Sequence, residues 1–225
     1  MKILAIDIET SGLSPENHQI LSVGVVVEDT NNKLPFDQIP KFHCAIVRED
    51  ITGGLFALNM NKDLISLINS WHIADEKTKK EIEEKEQMIF CREDEVVQHL
   101  FRFLWKNNIL NGEISNTDMD GLVTYKDGIL YPSITNKTSI SHLTVAGKNF
   151  ATFDKLFLEK LPRWKQVFKI RQRIIDPTIL FTDWKNDTDL PNLSTCKKRA
   201  GLDEFVSHDA VQDAFDVVEL LRTQY

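Results

Sequence analysis

Three short stretches concentrate residues able to do chemistry. The first is Asp7-Ile8-Glu9, at the end of the apolar run KILAIDI. Alternate side chains of a strand share a face, so Asp7 and Glu9 point one way and Ile6 and Ile8 the other. Two carboxylates on one face of a buried strand are costly without compensation. A hard divalent cation such as Mg²⁺ or Mn²⁺ supplies it, because these ions prefer oxygen ligands. A strand end fraying into water would accommodate the same pair. The second stretch is Gly147 to Asp154 (GKNFATFD), where a strand gives way to a helix. The helix dipole favours a carboxylate in a first turn, so Asp154 alone reads as an ordinary helix-start charge. The third, Ser207 to Ala214 (SHDAVQDA), opens the last helix, with Ser207 as its N-cap. His208 and Asp213 stand five positions apart, a little over one turn, and project in related directions. A histidine near a helix N-terminus tends to have its imidazolium form disfavoured, which would suit His208 to accept a proton. Alone, such a histidine is a solvated side chain. Asp209 reads as a first-turn residue and not as a ligand.

The elements that must position these residues follow from periodicity. Lys2–Ile8, Ile20–Val27 and Phe42–Val47 are apolar and β-branched, and together predict an antiparallel opening meander. Helices are expected at Asn61–Trp71 and Glu93–Lys106, the second with an apolar stripe that includes Trp105. Asp75–Gln87 carries almost no apolar face and is either a solvated helix or a mobile segment. Leu122–Tyr125 and Ile129–Tyr131, separated by Asp127-Gly128, predict a β-hairpin. Next come a strand at His142–Ala146, a helix at Ala151–Leu161 ended by Pro162, and a strand end at Ile174–Asp176. A short helix at Asn192–Ala200 is closed by Gly201, and a last helix spans His208–Thr223. Ala210, Ala214, Val217, Val218 and Leu221 form the buried stripe of that last helix. The order predicts an α/β fold, a mixed sheet flanked by helices, as one domain over residues 1–225 with an insertion at about 72–141.

The bulk numbers fit a water-soluble globular chain: 225 residues, 42% hydrophobic and 27% charged. A net charge of −7 argues against broad coating of nucleic acid by a basic surface. It is compatible with an enzyme that reaches phosphate through bound cations. Cys44, Cys91 and Cys196 are scattered and odd in number, which suggests neither a disulfide framework nor a zinc knuckle and fits a reducing cytoplasm. The N-terminal MKILAIDIET does not read as a signal peptide, and no apolar run approaches membrane-spanning length.

Taken together and in order, the three stretches resemble a known family. Asp7-Ile8-Glu9-Thr10, then Asn149 to Asp154 followed by Leu156-Phe157-Leu158, then His208-x-Ala210-x-x-Asp213-Ala214 are similar to the three motifs of the DEDDh (DnaQ-like) exonucleases. That superfamily includes polymerase proofreading subunits, RNase T and oligoribonuclease. Ile175-Asp176-Pro177-Thr178 and Asn192-Leu193-Ser194 also look like family features. The departure is length: Asp7 and Asp154 are 147 positions apart, the excess lying in the charged helix and at 111–141. The resemblance implies a ribonuclease H-like fold and a 3′–5′ exonuclease releasing nucleoside 5′-monophosphates with two divalent metal ions, Mg²⁺ or Mn²⁺. Asp7, Glu9, Asp154 and Asp213 would hold the metals and His208 would deprotonate the attacking water. Two cations ~3.5–4 Å apart stabilise the attacking and leaving oxygens of an in-line displacement. Thr10, Gly12 and Leu13 would meet the terminal nucleotide, and Asn149, Phe150 and Phe153 would line its pocket, although both phenylalanines also suit the core. Trp71, Trp105, Trp164 and Trp184 could stack on bases, with the core the simpler place for Trp105. Single-stranded DNA is the expected substrate. The alternatives are an RNA 3′–5′ exonuclease or oligoribonuclease with the same chemistry, and a non-catalytic nucleic-acid-binding subunit. No membrane or protein partner is indicated.

Overall fold

KILAIDIET alternates between two apolar faces and forms β1 (Lys2–Thr10). Leu4, Ile6 and Ile8 enter the larger core, and Ile3 and Ala5 enter a second core on the opposite face. In the computed structural model, which describes residues 1–110, 123–126, 129–132 and 140–225, β2 (Ile20–Asp29) pairs antiparallel with β1. In turn β3 (Lys41–Ile46) pairs antiparallel with β2, so the opening meander is as expected. Then come α1 (Leu55–Met60), α2 (Lys62–Ile73) and α3 (Glu76–Glu86). The polar segment is therefore a solvated helix, and Asp75 caps it by accepting the Thr78 N–H at 2.8 Å.

Next, β4 (Ile89–Cys91) pairs parallel with β3. Sequence reading passed over this strand because three residues carry no period. On α4 (Val96–Lys106), Val96, Val97, Leu100, Phe101 and Leu104 are buried as expected. Trp105 is not: it is 38% exposed, and Trp164 is the tryptophan sealed in the core. The hairpin strands β5 (Val123–Lys126) and β6 (Ile129–Pro132) pair antiparallel, and the Asp127-Gly128 turn lies outside the described residues.

The single strand expected at His142–Ala146 is two. Ser141–Leu143 is β7 and Val145–Ala146 is β8. The latter joins β1 in parallel through Leu4↔Val145 and Ala5↔Ala146. The long helix expected at 151–161 is only α5 (Asp154–Leu158), and α6 (Trp164–Val167) follows it. Asn149 sits in the left-handed region (φ 57°), so the chain turns first and turns helical at Asp154. Then β9 (Phe168–Ile170) runs parallel to β7, and Ile175 bridges Ala146. Helix α7 (Leu193–Arg199) is capped by Asn192 and followed by left-handed Gly201, as read. Helix α8 (Ala210–Arg222) starts later than predicted, with Asp209 rather than Ser207 as its cap: the Asp209 carboxylate accepts the Gln212 N–H at 2.9 Å.

The sheet order is β4-β3-β2-β1-β8, mixed in direction. This is the arrangement implied by the ribonuclease H-like resemblance. The face bearing Leu4, Ile6 and Ile8 is covered by α4, α5 and α6, and the face bearing Ile3 and Ala5 by α8. Among the described residues, no helix is long and apolar enough to cross a membrane.

Candidate active site

The face of the sheet under α8 carries Asp7 and Glu9. Across it, Asp7 pairs with Gly24 and Gly24 with His43, a row at one level on three strands. Gly24 is the reason the helix can come so low. A Cβ there would lie 2.2 Å from the carbonyl of Ala210, the first residue of α8. With no side chain in the way, the first turn of α8 rests on β2 and hangs Asp213 beside β1. Ligand oxygens of Asp7, Glu9 and Asp213 all lie within 4.8 Å of one another. Asp154 joins them from the other side of the strand: its Oδ1 accepts the Ile8 N–H at 3.2 Å. That position is secured upstream, where Asp176 accepts the Asn149 N–H at 2.9 Å and the Thr178 N–H and hydroxyl. The Asp176-Pro177-Thr178 turn thus fixes the loop that delivers Asp154.

Crowding shows in the titration of these acids. Burial first, then Asp154, Asp213 and Glu9, pushes Asp7 well above the usual carboxylate range, with Lys148 opposing. Burial and Asp213 lift Glu9 to about 8, against a hydrogen bond from Asn61. Burial lifts Asp154 to about 7 despite its backbone hydrogen bonds. Asp213 also rises to about 7, through burial and then Asp216 and Asp209. Four carboxylates that prefer protons on geometric grounds are a site short of positive charge. The buried Oδ1 of Asp213 has no hydrogen-bond partner among the described residues, an unusual orphan for a native interior. An all-oxygen cluster with an unused lone pair suits a divalent cation, and Asp7, Glu9 and Asp213 can hold one.

His208 lines the same cleft but lies outside the helix, one residue before its cap, with φ 53°. The picture of His208 and Asp213 as neighbours on one helix is therefore corrected. Thr10, Gly12, Leu13, Asn149 and Phe153 line the cleft as well. Phe150 does not: it is fully buried in the larger core. Sequence reasoning missed several residues here. Lys148 lines the cleft beside the acids. Asn61, buried, donates to Thr10 O and hydrogen-bonds Glu9. Phe56 on α1, 82% exposed, lines the cleft along with Leu13, equally exposed. The apolar LFAL of α1 was the available signal. Gly24 and His43 gave none, since their roles exist only once the strands are paired.

No family model matches the chain, and no curated protein does. Solved structures do. Escherichia coli exonuclease I in complex with a dA16 oligonucleotide superposes with a TM-score of 0.52 at 12% identity, over 99% of this chain and 40% of that one. Cell-death related nuclease 4 (CRN-4) gives 0.53 at 10% identity, over 98% and 62%. The nuclease domain of 3′hExo, a DEDDh family member, bound to rAMP, gives 0.50 at 12%, over 99% and 89%. The chain therefore shares the fold of these nucleases, and it spans less than two thirds of the first two proteins.

Proposed function

We propose that the chain is a metal-dependent 3′–5′ exonuclease acting on single-stranded DNA. The observation that carries this reading is the convergence of Asp7, Glu9 and Asp213 within 4.8 Å, with Asp154 and His208 in the same cleft. The fold it shares with nucleases, one of them crystallised on single-stranded DNA, supports it. An idle site has no reason to keep mutually repelling carboxylates in a low-dielectric cleft.

Asp7, Glu9, Asp154 and Asp213 would hold two divalent cations, Mg²⁺ or Mn²⁺, which supply charge for a pentavalent phosphoryl transition state. His208 accepts the proton of the attacking water from the rim of the cleft. Leu13 and Phe56 present apolar faces to the terminal bases, where a stacked base is worth ~1–3 kcal/mol and is sequence-tolerant. Thr10, Gly12, Asn149 and Phe153 border the sugar and base. Lys148 faces the departing phosphate region as a cation.

The test is digestion of matched 3′-labelled and 3′-blocked DNA and RNA oligomers with each metal. Stepwise release of 5′-monophosphates from free 3′ ends is expected, with single-stranded DNA the faster substrate. Asp7→Ala abolishes release, and His208→Ala slows it ~10²–10⁴-fold. Equal cleavage of 3′-blocked DNA, or full activity in excess chelator, would overturn the proposal. Faster cleavage of RNA would move the substrate to RNA and leave the mechanism standing.

A further inference from the structure

His208 is delivered by a loop that carries no helix or strand of its own. Residues 202–209 run from the end of α7 to the cap of α8, and His208 itself is exposed with a left-handed backbone. A non-glycine residue persists in that region only when its surroundings dictate it. Val206 packs on Leu193, Cys196 and Leu220. The main polar tie is Lys197, on α7. Its Nζ donates to the Phe205 carbonyl at 2.7 Å and to Asp216 Oδ2 at 2.6 Å. Both side chains are buried, at 7% and 1% exposure. The other oxygen of Asp216 accepts from Gln212 at 2.9 Å, one turn earlier on α8. One ammonium thus joins the loop to the helix that carries Asp213. A buried ion pair is weak evidence for stability, since apolar replacements are often as good or better. What the pair does in this structure is geometric: it ties the Phe205 carbonyl to α8.

We propose that Lys197 is a positioning residue for His208, clamping the Phe205 carbonyl to α8 so that the histidine faces the carboxylates. The inference rests on the reading of His208 as the base. Lys197→Met alone strands the Asp216 carboxylate in the interior, so the informative variant is K197M/D216L, which removes both charges and keeps apolar volume. Four measurements on the full chain decide the matter: melting temperature, Mn²⁺ affinity by titration, nucleotide release from a single-stranded DNA oligomer at saturating Mn²⁺, and hydrogen–deuterium exchange over 202–209. The variant melts near the parent and binds Mn²⁺ within about twofold, as expected of a change outside the ligands. Its kcat falls ~10–100-fold, the scale of a small misplacement, with little change in KM. Adding His208→Ala costs far less in this background than in the parent, because the two changes remove the same function. Exchange over 202–209 becomes faster, and Lys197→Arg, which keeps a donor to the carbonyl, restores most of the rate.

A folded K197M/D216L with parental kcat, or a full additional loss on His208→Ala, overturns the inference. Unchanged exchange over 202–209 overturns it as well, and needs no activity to be read. A parent chain that releases no nucleotide, or one indifferent to His208→Ala, overturns the function reading instead; faster exchange in the variant would then keep the clamp as a loop anchor alone.

Discussion

Asp7, Glu9, Asp154 and Asp213 make the folded chain hold protons that the unfolded chain would release. The sign follows from linkage. Ordinary values are 3.8 for aspartate and 4.5 for glutamate, and the folded values of Glu9, Asp154 and Asp213 are about 8, 7 and 7. Because the folded values are raised, the folded state binds more protons between them, and its stability falls as pH rises. His43 acts the other way at lower pH: burial lowers it from 6.5, so it costs stability only below that value. The clean window therefore runs from pH 6.5 to about 8. In chelator, the melting temperature should drop steadily across that window. Saturating Mg²⁺ or Mn²⁺ should remove the drop, since bound cations neutralise the acids. Asp213→Asn should abolish activity and yet raise the chelated melting temperature near pH 8 by about 2–8 °C, from ~1–2 kcal/mol of relieved repulsion. Thermal melts with and without metal check all three, and a flat chelated profile would count against the crowded-carboxylate picture. The identities of these acids were legible in the sequence through order and motif. The period-2 geometry correctly put Asp7 and Glu9 on one face. Invisible there was the arrangement of His208 and Asp209, because a helix cap is chosen by local backbone geometry that several candidate residues satisfy equally.

At the level of elements, the site depends on how closely α8 can approach the sheet. Gly24 is the residue on which that approach turns, since a Cβ there would meet the Ala210 and Val211 backbone at 2.2–2.3 Å. Gly24→Ala forces the first turn of α8 outward, an overpacking cost of ~1–3 kcal/mol. Since Asp213 rides on that turn, Mn²⁺ binding should weaken, although Gly24 touches no ligand oxygen. Calorimetric titration of Mn²⁺ into G24A, beside its melting curve, separates the two effects. Loss of stability with parental Mn²⁺ affinity would show that the helix tilts about its first turn without moving Asp213. Long periodic elements such as β1, β2, α4 and α8 were readable from hydropathy alone. Short ones were not. The break between β7 and β8 and the shortening of α5 are set by partners far along the chain, Phe168–Ile170 for β7 and Asp176 for the Asn149 turn. Local propensity cannot register such partners, so the period simply ran on through Thr144 and back to Ala151.

On the proposed function, a polyanion has to reach an acidic protein of net charge −7. Among the described residues that line the cleft, Lys148 is the one lysine or arginine. Phosphate neutralisation by side chains is correspondingly scant, and binding should lean on metal and on apolar contact at Leu13 and Phe56. Each phosphate neutralised on a single strand contributes about −0.7 to the slope of log K against log salt. One or two such contacts predict a slope of about −1, far shallower than a protein that tracks the backbone on a basic surface. The molecule does carry a separate cationic cluster: Lys169, Arg171 and Arg173 surround a second groove with His142, at the end of the fold where β1 begins. A strand long enough to reach it would engage about three more phosphates and steepen the slope by ~2. Titrations at fixed Mn²⁺, with oligomers of increasing length and His208→Ala to slow turnover without removing a metal ligand, distinguish the two regimes. The cleft geometry predicts a slope that stays near −1 whatever the length. A slope that steepens with length and flattens again in a Lys169→Ala/Arg171→Ala variant would show that the far groove holds the trailing strand.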